Sequence, residues 1–391
     1  MAYDKSSVVN AANEGAKRYA PEELEVLKKF AAIDCGSRDE EGNKKVVAII
    51  DELLGNIKGI EIEHVHAPGY GIHIVARLKP KNPQGKIILS AHTDTVFKPG
   101  DTAEHPFRIE GDTAYGLGII DCKGGLVVSI YAVCAMQEAG MLPNKEIVFI
   151  FNCDEEIGSP TGKQVFDTIV PGAEMAFVFE PSRLEDGVVT ARKGSSSILI
   201  DVAGVQAHSG VNYLDGRSAA VELCHRIIRM YESNLNERGI QFNVGEIKNF
   251  DPANIVSGHA TANVSVRVSN QSDIETVKEI VERLNKEEPY LDGTTTTINI
   301  VSTSNPMERT EASGKVYEIV RDAGRLLGKE LPEQATGGGS DGNYFSSKGV
   351  PTVDGLGPYM YKIHSFDESM RISSIEEKIA LFGVVLGTLD S

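Results

Sequence analysis

Two apolar runs stop abruptly at clusters of metal-ligand side chains, and nothing else in the chain constrains its fold as much. Lys86-Ile-Ile-Leu-Ser-Ala91 ends in His92-Thr-Asp94, and the run that closes on Phe149-Ile-Phe-Asn152 ends, one cysteine later, in Asp154-Glu155-Glu156. Short, uninterrupted apolar runs of this kind read as buried strands. Carboxylates crowded at a strand end repel one another unless a cation or a shared proton neutralises them. Two strands that both finish this way point to one site built at the edge of a sheet, and to a metalloenzyme.

The surrounding sequence alternates between helix and strand. Val46-Val47, Ile49-Ile50, Leu53-Leu54 and Ile57 recur at helical spacing, and Ile72–Leu78 is strand-like. Gly124–Ala139 reads as a buried helix, and Glu146–Asn152 and Ala176–Glu180 as further strands. Apolar strands separated by helices imply a sheet covered on both faces, an α/β domain. From Lys193 the texture changes. Strand Ser196–Val202, helix Gly216–Glu232, strands Ile240–Ile247 and Ala260–Val268, helix Ser272–Lys286 and strand Thr295–Val301 follow in turn. This β-α-β-β-α-β order is that of a ferredoxin-like α+β unit. Residues 194–304 are therefore expected to be a domain inserted into an α/β domain of residues 1–193 and 305–391. The latter resumes with helix Glu311–Leu327 and closes with helix Ser374–Leu389.

Two domains suit a chain of 391 residues. Its 39 basic and 56 acidic residues leave a net charge of −17, which argues against nucleic acid or an anionic membrane as partner. No run reaches the roughly 18 consecutive apolar residues of a spanning helix, and Met1-Ala-Tyr-Asp-Lys lacks the basic-then-apolar order of a signal peptide. The five cysteines form no CxxC, so a reduced, cytoplasmic setting is expected. Cys122 and Cys153 adjoin the acidic clusters but read as buried, inert thiols.

Taken singly, the candidate residues are ambiguous. In a strand His92 and Asp94 would share a face, so Asp94 could accept a bond from a metal-binding imidazole. Tyr115-Gly-Leu-Gly-Ile-Ile-Asp121-Cys-Lys-Gly-Gly125 sets an acid among glycines just before a helix, without the GxGxxG spacing of a dinucleotide site. Glu180 alone reads as an exposed strand-end acid, and His364 equally as a surface histidine or a loop ligand. Together His92, Asp121, Glu156, Glu180 and His364 make a set of two imidazoles and three carboxylates that suits zinc.

These motifs resemble the co-catalytic zinc metallopeptidase and amidohydrolase family of glutamate carboxypeptidases, aminoacylases, desuccinylases and dipeptidases. The resemblance rests on Ser90-Ala-His92-Thr-Asp94-Thr-Val, Gly118-Ile-Ile-Asp121-Cys-Lys-Gly, Asp154-Glu155-Glu156-Ile-Gly-Ser, Phe179-Glu180-Pro, Ala207-His208-Ser-Gly210 and His364-Ser. It implies two zinc ions per subunit, with cobalt or manganese as possible substitutes. Asp121 would bridge them, with His92 and Glu180 on one and Glu156 and His364 on the other. Glu155 matches the general base. A cis peptide between Asp121 and Cys122 is also implied. The inserted domain matches the family's lid, through which relatives form homodimers. On it His208 matches a histidine that stabilises the oxyanion, often from the neighbouring subunit. Arg267 and Asn254 match positions that bind the substrate carboxylate, and Gly337, Gly338 and Gly339 belong to a loop that offers backbone N–H groups to the same anion.

The reaction so implied is hydrolysis by a metal-bridging hydroxide, without a covalent intermediate; no GxSxG is present. Gly337–Gly342 and Asp354-Gly-Leu-Gly-Pro358 look closest to the glutamate carboxypeptidase branch, which removes a residue carrying a free C-terminal carboxylate. N-acyl amino acids and di- or tripeptides are the alternative substrates. An inactive zinc-binding scaffold is the alternative of another class.

Overall fold

A computed structural model of the chain describes residues 3–183 and 187–389. By contacts the chain divides into two compact units: Met1–Thr190 with Arg309–Ala335 and Ser340–Ser391, and Ala191–Glu308 with Thr336–Gly339.

In the first unit the chain runs α1 (Lys5–Phe30), α2 (Glu40–Leu54), β1 (Ile60–Ala67), β2 (Gly71–Leu78), β3 (Lys86–His92), α3 (Gly125–Glu138), β4 (Glu146–Asn152), α4 (Gly162–Ile169) and β5 (Met175–Val178). The second unit contributes β6 (Gly194–Ala203), α5 (Ala219–Glu232), β7 (Gln241–Asn249), β8 (His259–Val268), α6 (Gln271–Asn285) and β9 (Thr295–Ser304). The first unit then resumes with α7 (Glu311–Leu326), α8 (Asp341–Ser347), β10 (Thr352–Val353) and α9 (Ser373–Thr388).

The central sheet has the order β1-β2-β4-β3-β5-β10. β1, β2 and β4 pair antiparallel; β4, β3, β5 and β10 are parallel. Period-two alternation divides the strands between two cores. Ile87, Leu89, Ile147, Phe149, Phe151 and Phe177 face α1, α3 and α9. Ile88, Val148, Ile150, Ala176 and Val178 face α4 and Phe345 of α8. The helical stretch Ile119–Glu138 is apolar and long enough to cross a membrane by composition, yet it lies wholly buried in this unit. It is the core helix that Gly124–Ala139 predicted.

The sequence reading passed over α1. Its buried stripe is Val8, Ala12, Gly15, Ala16, Tyr19, Glu23, Val26, Leu27 and Phe30, in which small residues and a glutamate blur the apolar period, and Pro21 interrupts it. The helix starts because the Asp4 carboxylate accepts the Ser7 N–H. Two further boundaries move. The strand expected over Ala176–Glu180 stops at Val178, and the helix expected from Gly216 begins at Ala219 with Ser218 as its cap.

In the second unit the sheet order is β7-β8-β6-β9, antiparallel throughout, with α5 and α6 packed on one face. The chain order β6-α5-β7-β8-α6-β9 is the ferredoxin-like arrangement.

Candidate metal centre

Because β3, β4 and β5 are parallel neighbours, their carboxyl ends lie along one edge of the sheet, the usual place for a site in an α/β fold. His92 is the last residue of β3 and is level with Asn152 of β4. Ser90 is level with Val178, so Glu180, two residues beyond β5, also reaches the height of His92. Glu155 and Glu156 open a short helical turn just past β4. Asp121 lies in the segment Ile119–Gly124 that leads directly into α3. A side chain at Gly125 would strike the backbone of Phe179, so only glycine lets that helix end lie so close to the strand.

Asp121 stands between two imidazoles. Its Oδ1 lies 3.3 Å from His92 Nε2, and its Oδ2 lies 2.9 Å from His364 Nε2. Glu180 Oε1 is 3.6 Å from His92 Nε2, and Glu156 Oε2 is 3.3 Å from His364 Nε2. The five candidate ligands thus converge as two half-sites sharing one carboxylate. His92 and Glu180 are buried, whereas the His364 side chain is 51% exposed and its backbone is left-handed, with φ 59°. The Asp121–Cys122 peptide is cis.

The electrostatics fit a cationic occupant. Burial would pull the His92 imidazole down, but Cys122, Asp121, Asp94 and Glu180 around it hold its pKa well above the ordinary value. Bonds to Asp121 and then Glu156 lift His364 to about 10. Asp121 is held low because its bonds to His364 and His92 outweigh its burial. The carboxylates attract positive charge strongly, and an N/O set of this composition suits divalent zinc, cobalt or manganese.

Asp94 meets the His92 imidazole as expected, though not through strand alternation. The strand ends at His92, so alternation along a strand does not place Asp94. The Asp94 backbone carbonyl nevertheless lies 3.0 Å, and its Oδ1 3.3 Å, from His92 Nδ1. With Nδ1–H donating there, the lone pair of Nε2 faces Asp121 and Glu180. The Asp94 carboxylate also accepts the N–H groups of Glu155 and Glu156, each at 3.1 Å, and the Ser37 hydroxyl at 2.7 Å. One acid therefore fixes both the imidazole and the acidic turn.

Only two of the three adjacent acids serve the site. The Asp154 carboxylate is turned away and accepts from Thr161 N at 2.7 Å and Thr161 Oγ1 at 2.6 Å. Glu155 makes no side-chain hydrogen bond to another described residue. Burial first, then the carboxylates of Glu180, Asp341 and Glu156, push its pKa well above the ordinary range despite the opposing pull of His92. An acid so placed is suited to taking and returning a proton.

Two residues that the sequence reading missed hold this frame. Asp341 accepts from Asn152 Nδ2 at 2.9 Å and Ser159 Oγ at 2.5 Å, tying α8 to both ends of the acidic turn; burial raises it to about 6. Its place directly after Gly-Gly-Gly-Ser was the available signal. Glu368 accepts the N–H groups of Ile120 at 3.2 Å and Asp121 at 3.3 Å, and burial, with Asp121 nearby, raises it to about 8. Nothing local to Glu368 distinguished it from a surface acid.

The remaining candidates belong to the second unit. His208 and Asn254 adjoin: Ala207–His208 pairs with Ile255–Val256, and Ser209 N donates to the Asn254 carbonyl at 3.0 Å. Arg267, thirteen residues from Asn254, is exposed on β8 opposite Ser195. The eight residue steps from His259 to Arg267 span about 27 Å, so Arg267 lies at the other end of the sheet from the His208 pair. Arg192 Nη1 donates to the carbonyls of Gly338 at 3.1 Å and Gly339 at 3.2 Å, which fixes the glycine loop.

The sequence profile of Peptidase family M20/M25/M40 matches residues 88–387. Carboxypeptidase G2 of Pseudomonas sp. (strain RS-16) is 27% identical over 368 residues, covering 92% of this chain and 87% of its own. Succinyl-diaminopimelate desuccinylase of Rhodopseudomonas palustris (strain BisA53) is 25% identical over 370 residues, covering 86% of this chain and 91% of its own. Among solved structures, aminopeptidase PepT of Bacillus cereus superposes with a TM-score of 0.78 at 20% identity, covering 95% of this chain and 99% of the other.

Proposed function

The chain belongs to peptidase family M20/M25/M40, and we propose that within it this metal-dependent hydrolase cleaves an amide bond next to a free C-terminal carboxylate, in the manner of a glutamate carboxypeptidase. The observation that carries the reading is Asp121, whose two oxygens face His92 and His364 at 3.3 and 2.9 Å. His92, Asp121 and Glu180 would hold one zinc ion, and Asp121, Glu156 and His364 the other. When bound, the pair supplies Lewis-acid polarisation of a carbonyl and lowers the pKa of water toward about 7. Glu155 takes the proton of the attacking water and returns it to the leaving amine. Asp94 holds the imidazole of His92 and the backbone beneath Glu155 in register for that transfer.

Similarity to carboxypeptidase G2 along 92% of the chain supports the carboxypeptidase reading. Arg267, whose planar fork suits a carboxylate, and the loop Gly337–Gly339 would read the free terminus. Similarity to a desuccinylase favours a second reading, hydrolysis of N-acyl amino acids or small peptides. A scaffold without activity is disfavoured because every candidate ligand and the base Glu155 are present.

His208 and Asn254 would hold the oxyanion from a second subunit. About 27 Å of strand separates them from Arg267, so the two halves of the substrate site are more easily supplied by two copies than by one. The outward face of α5 carries exposed Val221, Cys224, Ile228 and Tyr231 at helical spacing, a face suited to a homodimer.

The deciding experiment is a panel of peptidyl and N-acyl amino acids, each with its C-terminally amidated analogue, read by mass spectrometry with and without a chelator. The proposal expects chelator-sensitive release of a C-terminal, preferentially acidic, residue and poor turnover of the amides. Equal turnover of free and amidated substrates would exclude carboxylate recognition.

A further inference from the structure

The sequence reading did not single out His73, yet both nitrogens of this buried imidazole meet the segment that carries Glu155 and Glu156. His73 lies near the start of β2, beside the end of β4. At one end of the segment Cys153 N donates to Nδ1 at 3.3 Å, and the Cys153 thiol lies 3.5 Å from the same nitrogen. At the other end Nε2 lies 2.9 Å from Thr161 Oγ1. The Thr161 hydroxyl donates its own proton to the Asp154 carboxylate at 2.6 Å, so toward the imidazole it can only accept. Burial lowers the pKa of the ring against the pull of Asp154, and a neutral imidazole offers one donor and one acceptor. Both are used: Nδ1 accepts and Nε2–H donates. Asp154 also accepts from Thr161 N at 2.7 Å and Gly162 N at 3.3 Å, which anchors this end of the chain on the first turn of α4.

We propose that His73 is a positioning residue for the reaction, fixing Glu155 and Glu156 by joining the two ends of the segment that carries them. The inference rests on the functional reading above, in which Glu155 is the base and Glu156 a metal ligand. Asp94 grips the middle of the segment through the Glu155 and Glu156 amides, and Asp341 grips Asn152 and Ser159. His73 adds the tie between Cys153 and Thr161. A general base must stay within hydrogen-bond reach of the water it activates, and a misplacement of about 1 Å can cost roughly 100-fold in rate. The loss should therefore fall on kcat. A cavity of about 310 Å³ lies against the imidazole, with Val65, Val75 and Val165 in its wall. Exposed Glu63 and Gln164 also line it, so a small molecule can reach the place of the ring from solvent once the ring is removed.

The test is chemical rescue of His73→Ala in metal-loaded protein, with metal content, kcat and KM measured on the best substrate of the panel. The proposal expects kcat to fall roughly tenfold or more, with KM and metal content unchanged. Added 4-methylimidazole should restore much of the loss, because it can donate and accept as His73 does. 1-Methylimidazole, of equal size but without an N–H, should not. Wild-type protein treated in the same way corrects for binding of either compound to the metals. A second variant, Thr161→Val, keeps the volume and removes the hydroxyl link, and should lose kcat without being rescued by either compound. It also decides the matter if His73→Ala does not fold. A kcat within about twofold of wild type in a folded variant of either kind overturns the proposal. Equal rescue by both methylimidazoles overturns it too, since filling the space would then suffice, and so does rescue by neither. Wild-type protein that hydrolyses nothing in the panel removes the functional reading itself, and this inference with it.

Discussion

Replacing Asp94 tests how one buried acid supports the whole site. Its carboxylate receives three donors: Ser37 Oγ, Glu155 N and Glu156 N. Asp94→Ala leaves all three without an acceptor. A buried donor left unmet costs about 1–3 kcal/mol. The two turn amides belong to half-buried residues that water can approach, so the lower end applies and the sum is about 3 kcal/mol. Asp94→Asn keeps the volume and one acceptor, but its amide N–H must face at least one of the donors, for a loss of about 1–2 kcal/mol. Because Asp94 also orients His92, metal affinity should fall by roughly 10–100-fold in both variants. Urea unfolding followed by circular dichroism reads the first effect, and competition with a chromophoric chelator the second. A stability for Asp94→Ala within about 0.5 kcal/mol of wild type, with unchanged metal affinity, would refute the reasoning.

Glu155→Gln should retain its metal yet lose roughly 10²–10⁴-fold in turnover; near-native turnover in metal-replete protein would reassign the base. His208→Ala mixed with Glu155→Gln should recover part of the activity that each lacks, if the histidine serves a neighbouring subunit; no recovery in a proven heterodimer refutes the exchange. Glu23 is fully buried on α1 with no partner for either carboxylate oxygen among the described residues, and burial raises its pKa well above 4.5. The folded chain then keeps a proton that the unfolded chain releases. That contribution to stability is complete below about pH 4.5 and is lost as pH rises through the folded-state value. Glu23→Gln should flatten this fall, and an unchanged slope in the variant would place its source elsewhere.

The elements that were legible in the sequence are those with strong local signals. β3 and β4 are continuous apolar runs because both faces of the sheet are covered, and their ends were legible as the place where ligand residues gather. The inserted α+β unit was readable because its strands alternate over a single core. α1 was not, since small residues and Glu23 fill its buried stripe. Nor was the four-stranded sheet of Arg108–Glu110, Thr113–Tyr115, Met360–Tyr361 and Ser369–Arg371, whose strands are too short to show a period. The candidate ligands could be picked from the sequence because each sits beside a strand end, a glycine pair or a turn. The residues that brace them could not. Asp94 meets the Glu155 amide only because β3 and β4 are neighbours. Asp341 and Glu368 reach the site from far along the chain. Arg267 and Asn254 were set together by the resemblance, and the length of β8 lies between them.

The central claim is a pair of cations sharing Asp121. Crystals grown with zinc, with anomalous diffraction recorded above and below the zinc edge, test it most directly. The account predicts two anomalous peaks per subunit about 3.5–4 Å apart, one touching His92 and Glu180 and the other Glu156 and His364, with an Asp121 oxygen on each. A single peak, or two peaks that do not share Asp121, in protein of proven activity would contradict it.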